Sequence, residues 1–159
     1  MNNLYNQYSS HEISILIDEA RYHRNISCND KKAIKTCDKI LSIAPDNRDA
    51  MLIKAGALGQ IGKTKQSLEL IEKIKNKWPE HWEAYYLDGL RLFNIDEQKA
   101  MQLLKKSLEK EERFDNLVVA GQLAYFMGDQ NYQTYLDKAK KLDRGRFENF
   151  MKKIWTYDL

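Results

Sequence analysis

Apolar residues recur along the chain at the spacing of one helix face, in segments that are separated by short polar or glycine-containing turns. From Ile13 to Ala20 they stand at i, i+3, i+4 and i+7, which is typical of an amphipathic helix. Ser9 and Glu12 have the spacing of a capping box, which predicts that this helix starts there. The alternation that indicates strands is nearly absent, so the pattern predicts an all-α chain.

The predicted helices come in pairs, and the pairs repeat. Pro45 and Pro79 are 34 residues apart, which is the period of a helix-turn-helix repeat. Gly62 between them fits the left-handed residue that ends a helix. Gly128-Asp129 repeats the pattern of a glycine that ends one helix, followed by a residue that can cap the next. The predicted repeats cover these residues: 12–45, 46–79, 80–112 and 113–143. From the second repeat onward the predicted helices are 47–61, 64–77, 80–94, 96–111, 114–127, 129–142 and 146–157.

Small residues mark the same position in each pair. The first helices carry them at Ala20, Ala55, Gly89 and Gly121. The second helices carry a recurring element with an apolar residue four positions later: Ala33/Cys37, Ser67/Ile71, Ala100/Leu104 and Tyr132/Leu136. Small side chains let antiparallel helices approach closely, and the bulky residue one turn later fills the gap between them.

These positions resemble the tetratricopeptide repeat family, whose pattern is W-x2-L-G-x2-Y, then A-x3-F, then P. The second repeat fills those slots with Met51, Lys54-Ala55, Leu58, Ser67/Ile71 and Pro79, and the third with Tyr85, Asp88-Gly89, Leu92, Ala100/Leu104 and Glu112. The resemblance implies a right-handed superhelical solenoid of about four repeats over residues 12–143. We expect residues 1–11 to form an N-terminal arm and residues 144–159 a C-terminal capping helix.

The resemblance also implies where a partner binds, because the first helices of this family line the concave surface. The residues expected to face it are Leu52, Ile53, Gly56, Tyr86, Leu87, Leu90, Phe93, Val118, Gln122, Tyr125 and Phe126. The first helices of the third and fourth repeats are apolar on nearly all sides. Something must therefore cover both of their faces. A bound peptide or helix, a second copy of the chain, or its own tail would do so.

One class of tetratricopeptide domain binds a C-terminal carboxylate with a Lys/Asn/Arg clamp, but here Leu52, Ile53, Tyr86 and Leu87 occupy the clamp positions. We therefore expect a groove that buries apolar anchor residues of a partner protein or peptide. The hypothesis is a non-catalytic interaction module, an adaptor or assembly factor. The alternatives are a small type III-like secretion chaperone for an apolar export substrate, and a scaffold that assembles as a homo-oligomer.

A rival interpretation comes from Gly62-Lys63-Thr64, which ends a relaxed P-loop pattern beginning at Ala57. A P-loop needs a buried strand before it and a helix after it, so that backbone N–H groups surround phosphate. The segment instead falls in phase with the other helix pairs. Nucleotide binding therefore stays a remote alternative, and we predict no cofactor.

Composition narrows the function classes. The formal charge of +3 arises from 26 Lys and Arg against 23 Asp and Glu, with both signs interspersed, so charge alone predicts no nucleic-acid partner. The lysines of the second helices are expected on a solvated outer face. The two cysteines and three histidines lack metal-ligand spacing, and no catalytic arrangement is evident. With neither a secretory signal nor a membrane span, we predict a cytoplasmic protein.

Overall fold

A computed structural model describes residues 9–155, with side chains as far as residue 153. Within these residues the chain is helical and contains no strand, which confirms the all-α prediction. The helices are α1 (Ser10–Asn25), α2 (Asp30–Ile43), α3 (Arg48–Gln60), α4 (Thr64–Lys77), α5 (Trp82–Leu92), α6 (Glu97–Lys110), α7 (Phe114–Phe126), α8 (Tyr132–Leu142) and α9 (Arg144–Trp155). Residues 1–8 of the predicted arm and residues 156–159 lie outside this description.

The chain divides into two compact units between Pro79 and Glu80. The N-terminal unit contains α1 to α4 and the C-terminal unit contains α5 to α9. In both units consecutive helices pack against each other as antiparallel pairs. The division falls at the junction between the second and third predicted repeats.

Capping side chains fix the starts of α1, α2, α3 and α6. The Ser9 backbone N–H donates to Glu12 Oε2 (2.6 Å), and the Glu12 N–H donates back to Ser9 Oγ (3.2 Å). This reciprocal pair is the predicted capping box, and the backbone donor lowers the pKa of Glu12. Asn29, Asn47 and Asp96 cap α2, α3 and α6 without the reciprocal bond, each accepting one backbone N–H with its side-chain oxygen.

The turns inside two of the helix pairs use glycine as predicted. Gly62 follows α3 with φ +77°, and Gly128 follows α7 with φ +71°. Both values lie in the left-handed region, where a side chain is disfavoured. These glycines therefore end the first helices of the second and fourth pairs.

The start of α8 differs from the prediction, because Asp129 caps a turn instead of a helix. Its carboxylate accepts from the Asn131 backbone N–H (2.9 Å) and side-chain amide (2.8 Å). These two bonds, the backbone one first, lower the pKa of Asp129. The carboxylate therefore stabilises the turn that precedes the helix, and the helix begins at Tyr132.

Close packing of helices agrees with the role assigned to the small residues. A Cβ on Gly89 would lie 3.0 Å from Leu104 Cγ, and one on Gly121 would lie 2.7 Å from Leu136 Cδ2. Both leucines are the bulky residues that the repeat alignment assigned to these gaps. In the N-terminal unit the buried Ser67 hydroxyl donates to the Ala55 carbonyl (2.7 Å).

The C-terminal helix α9 packs on the fourth helix pair. Phe147 and Phe150 contact the cluster formed by Leu117, Val118 and Ala139. The Arg146 guanidinium donates to Asp115 (2.6 Å) and lies 4.2 Å from the centre of the Phe114 ring. These contacts hold α9 against the fourth helix pair.

A buried amide that sequence reasoning missed fixes the turn between α6 and α7. Asn116 is fully buried, and its side-chain nitrogen donates to Ser107 Oγ (2.9 Å) and to the Glu111 carbonyl (2.8 Å). Its oxygen accepts from the Arg113 backbone N–H (2.9 Å). All three bonds anchor the turn that precedes α7.

Candidate partner-binding surface

Four aromatic rings meet where α5 and α7 end and α8 begins, and we call Phe93, Tyr125, Phe126 and Tyr132 the aromatic patch. Phe93 contacts Phe126 edge to face, with ring centres 6.1 Å apart. Tyr125 stands in the same relation to Phe126 (5.9 Å) and to Tyr132 (5.3 Å). Such geometry is favourable for aromatic pairs, so the rings hold one another in place.

Two of the four rings of the aromatic patch are largely open to solvent. Tyr125 is 63% exposed and Phe126 is 66% exposed, whereas Phe93 and Tyr132 are half-buried. Met127, the next residue after Phe126, is 38% exposed. Adjacent exposed rings form an apolar surface of the kind that marks interaction sites.

The exposed rings lie beside a tight turn. The two tyrosines flank a turn that Gly128 and Asp129 shape. The N–H of Asp129 donates to the Ala124 carbonyl (2.8 Å), which closes the end of α7 beside Tyr125. Tyr125 and Phe126 are thus the last two residues of α7, immediately before this turn.

The other predicted residues of the C-terminal unit divide by burial. Tyr86, Leu90 and Gln122 are half-buried; Tyr86 packs against the core below the patch and lies 5.7 Å from Trp82, measured between ring centres. Leu87 and Val118 are buried. For Val118 the cover is the chain's own C-terminal helix, through Phe147 and Phe150.

The predicted residues of the N-terminal unit present little surface. Leu52 and Ile53 are buried, and Ile53 belongs to the core that α1, α2 and α3 share. Gly56 is buried beneath the guanidinium of Arg24, which occupies the place where a Cβ would stand. Sequence reasoning missed Arg24, although its place one turn after the packing residue Ala20 was a usable signal.

The segment resembling a P-loop forms an inter-helix turn. The helix α3 precedes Gly62 where a P-loop needs a strand. The N–H of Gly62 donates to the Gly59 carbonyl (3.1 Å) and that of Lys63 to the Leu58 carbonyl (2.9 Å). These backbone donors are already used within the turn, so they do not form a phosphate cradle.

No group of three or more His, Cys, Asp or Glu side chains gathers as a metal site within residues 9–153. Among the described helices none has the length and apolar character needed to cross a membrane.

The two cysteines differ in environment, which predicts their reactivity. Burial raises the pKa of the Cys37 thiol to about 12, while Cys28 is exposed. The thiolate is the reactive form, and the reagent must reach it. The exposed Cys28 should therefore react promptly with a disulfide reagent that releases a coloured thiol. Cys37 should react after denaturant is added. Equal rates for both thiols in the folded protein would contradict this assignment.

Solved structures share this architecture. The chain is similar to a MamA fragment from Desulfovibrio magneticus RS-1, with a TM-score of 0.61 and 21% identity over 86% of this chain and 78% of that one. It is also similar to a thermophilic TPR protein of Thermus thermophilus, with a TM-score of 0.72 and 14% identity over 83% of this chain and 75% of that one. No protein-family model matches the chain, and no curated protein sequence does. The fold is therefore that of tetratricopeptide repeats, as the sequence predicts.

Proposed function

We propose that this chain is a non-catalytic protein-interaction module that binds an apolar segment of a partner protein at the aromatic patch. The observation that supports this most is the exposure of Tyr125 and Phe126, two adjacent rings that are each about two-thirds open to solvent. Surfaces of this kind gain free energy when a partner covers them. The tetratricopeptide-like fold agrees with an interaction role.

The energetics favour a short apolar ligand. Burying one large apolar side chain contributes roughly 1.5–3 kcal/mol, and favourable aromatic contacts add roughly 0.5–1.5 kcal/mol. Because the rings of the aromatic patch already contact one another, binding orders few additional side chains. Two or three anchor residues would then suffice for a useful affinity.

The predicted residues contribute unequally to this proposal. The half-buried Tyr86, Leu90 and Gln122 flank the patch on α5 and α7 and are assigned to its margin. Leu52, Ile53, Leu87 and Val118 act through packing, because they are buried. The apolar side chains of the ligand are thus expected to bind at the C-terminal ends of α5 and α7.

A peptide array tests the proposed ligand class. It should present peptides that carry two or three Leu, Phe or Trp anchors beside copies in which the anchors are Ser. We expect binding to the apolar peptides, with no binding to the Ser copies. Equal binding to both sets, or to neither, would contradict the proposal.

A further inference from the structure

A second surface lies in the N-terminal unit, distant in sequence from the aromatic patch. The helices α1 and α2 line an open groove of about 360 Å³. Lys32, Lys35 and Lys39 line its α2 wall, and Glu19 and His23 line its α1 wall.

The floor of the groove combines a polar group with an apolar one. Thr36 is 8% exposed, and its hydroxyl lies 3.5 Å from Glu19 Oε1. The same carboxylate oxygen lies 3.6 Å from His23 Nε2. The half-buried Leu16 supplies the apolar part.

The two walls of the groove differ in charge. Among the residues that the structure describes, neither Lys32 nor Lys35 forms an ion pair. The Glu19 carboxylate, in contrast, lies within 3.6 Å of both the Thr36 hydroxyl and the His23 ring. The N-terminal unit as a whole carries 13 Lys and Arg against 9 Asp and Glu. The part of the α2 wall formed by Lys32 and Lys35 is therefore a positive surface without an acidic partner in the described chain.

We propose that this groove binds an acidic amphipathic helix of a partner protein. The three lysines stand at i, i+3 and i+7, so successive ones are about 4.5 Å and about 6 Å apart along the helix axis. Carboxylates at similar spacing on a partner helix would face them, while one apolar side chain rests on Leu16. Glu19 on the opposite wall repels carboxylates and thereby orients the acidic face of the partner toward α2.

A second copy of the chain does not supply this partner from its described helices. None of α1 to α9 carries three carboxylates at such a spacing; α1 has Glu12 and Glu19, and α4 has Glu69 and Glu72. The helix α9 is basic at both ends. Charge complementarity therefore assigns the groove to a different protein.

The test uses a synthetic helical peptide with Glu at i, i+4 and i+7 and one Leu on the same face. We expect it to bind the full chain in calorimetry, and to bind at least about tenfold more weakly when its three Glu are replaced by Gln. Raising the salt concentration should also weaken binding, because exposed charges are screened. Absence of binding, or equal binding of the Gln peptide, would overturn the proposal.

Charge-reversed variants locate the site. The double variant Lys32→Glu/Lys35→Glu should lower the affinity at least about tenfold, whereas the matched control Lys105→Glu/Lys106→Glu, on the exposed face of α6, should leave it unchanged. Equal losses in both variants would mean unspecific charge attraction and would overturn the proposal. A single-stranded DNA oligonucleotide that competes as well as the peptide would overturn it in favour of nucleic acid. A variant of the aromatic patch should bind the peptide normally, so this test is independent of the proposed function.

Discussion

Replacing Tyr125 and Phe126 together with Ser is expected to weaken binding of apolar peptides more than about a hundredfold. Each ring that a ligand covers contributes roughly 1.5–3 kcal/mol, and a hundredfold change in affinity corresponds to about 2.7 kcal/mol. The two side chains are largely exposed in the free protein, so they contribute little to folding. Titration of a fluorescent peptide from the array, beside thermal unfolding followed by circular dichroism, measures both effects.

The matched control for this variant is Ile26→Ser. Ile26 is 70% exposed, lies in the N-terminal unit and has no place in the aromatic patch. It should change neither the peptide affinity nor the unfolding temperature. A comparable loss of affinity in this control, or unchanged binding in the double variant, would count against the assigned site.

A size exchange between Gly89 and Leu104 is expected to have the largest effect on stability. Leu104 is fully buried and contacts the place where a Cβ on Gly89 would stand. Gly89→Leu overfills this space, which costs roughly 1–3 kcal/mol or more. Leu104→Ala leaves a cavity, which costs roughly 2–5 kcal/mol. Urea unfolding of each variant gives these free energies.

The combined variant Gly89→Leu/Leu104→Ala provides the decisive comparison. Because the new leucine fills the space that the old one leaves, the loss of stability should be smaller than the sum of the two single losses. Gly59→Ala is the control, since a Cβ there meets Ser67 Oγ at an ordinary 3.6 Å and a helical Gly-to-Ala change is favourable. Strict additivity of the two core substitutions would show that the residues do not share one space.

Much of the fold could be predicted because its determinants are local. The stops at Gly62 and Gly128 follow from backbone geometry, and the pairing of Gly89 with Leu104 follows from repeat spacing. The start of α8 could not be predicted from the position of an Asp alone. The Asp129 carboxylate can cap either a turn or a helix, and its bond to Asn131 decides for the turn.

The candidate site was harder to predict than the fold. Periodicity assigns a residue to a helix face, but exposure also depends on which other side chain reaches that face. Val118 is covered by α9, and Gly56 is covered by the long side chain of Arg24. Tyr125 and Phe126, at the end of α7, stay exposed, whereas Phe93 at the end of α5 is half-buried. Residues with similar positions in the repeat pattern therefore differ in their access to solvent.

The most direct test of the proposed interaction surface is paramagnetic NMR with an apolar peptide that carries a spin label beside its anchor residue. The account predicts that amide signals at the C-terminal ends of α5 and α7, including those of Phe93, Tyr125 and Phe126, broaden when the peptide binds. Broadening confined to other residues, with the aromatic patch unaffected, would contradict the account.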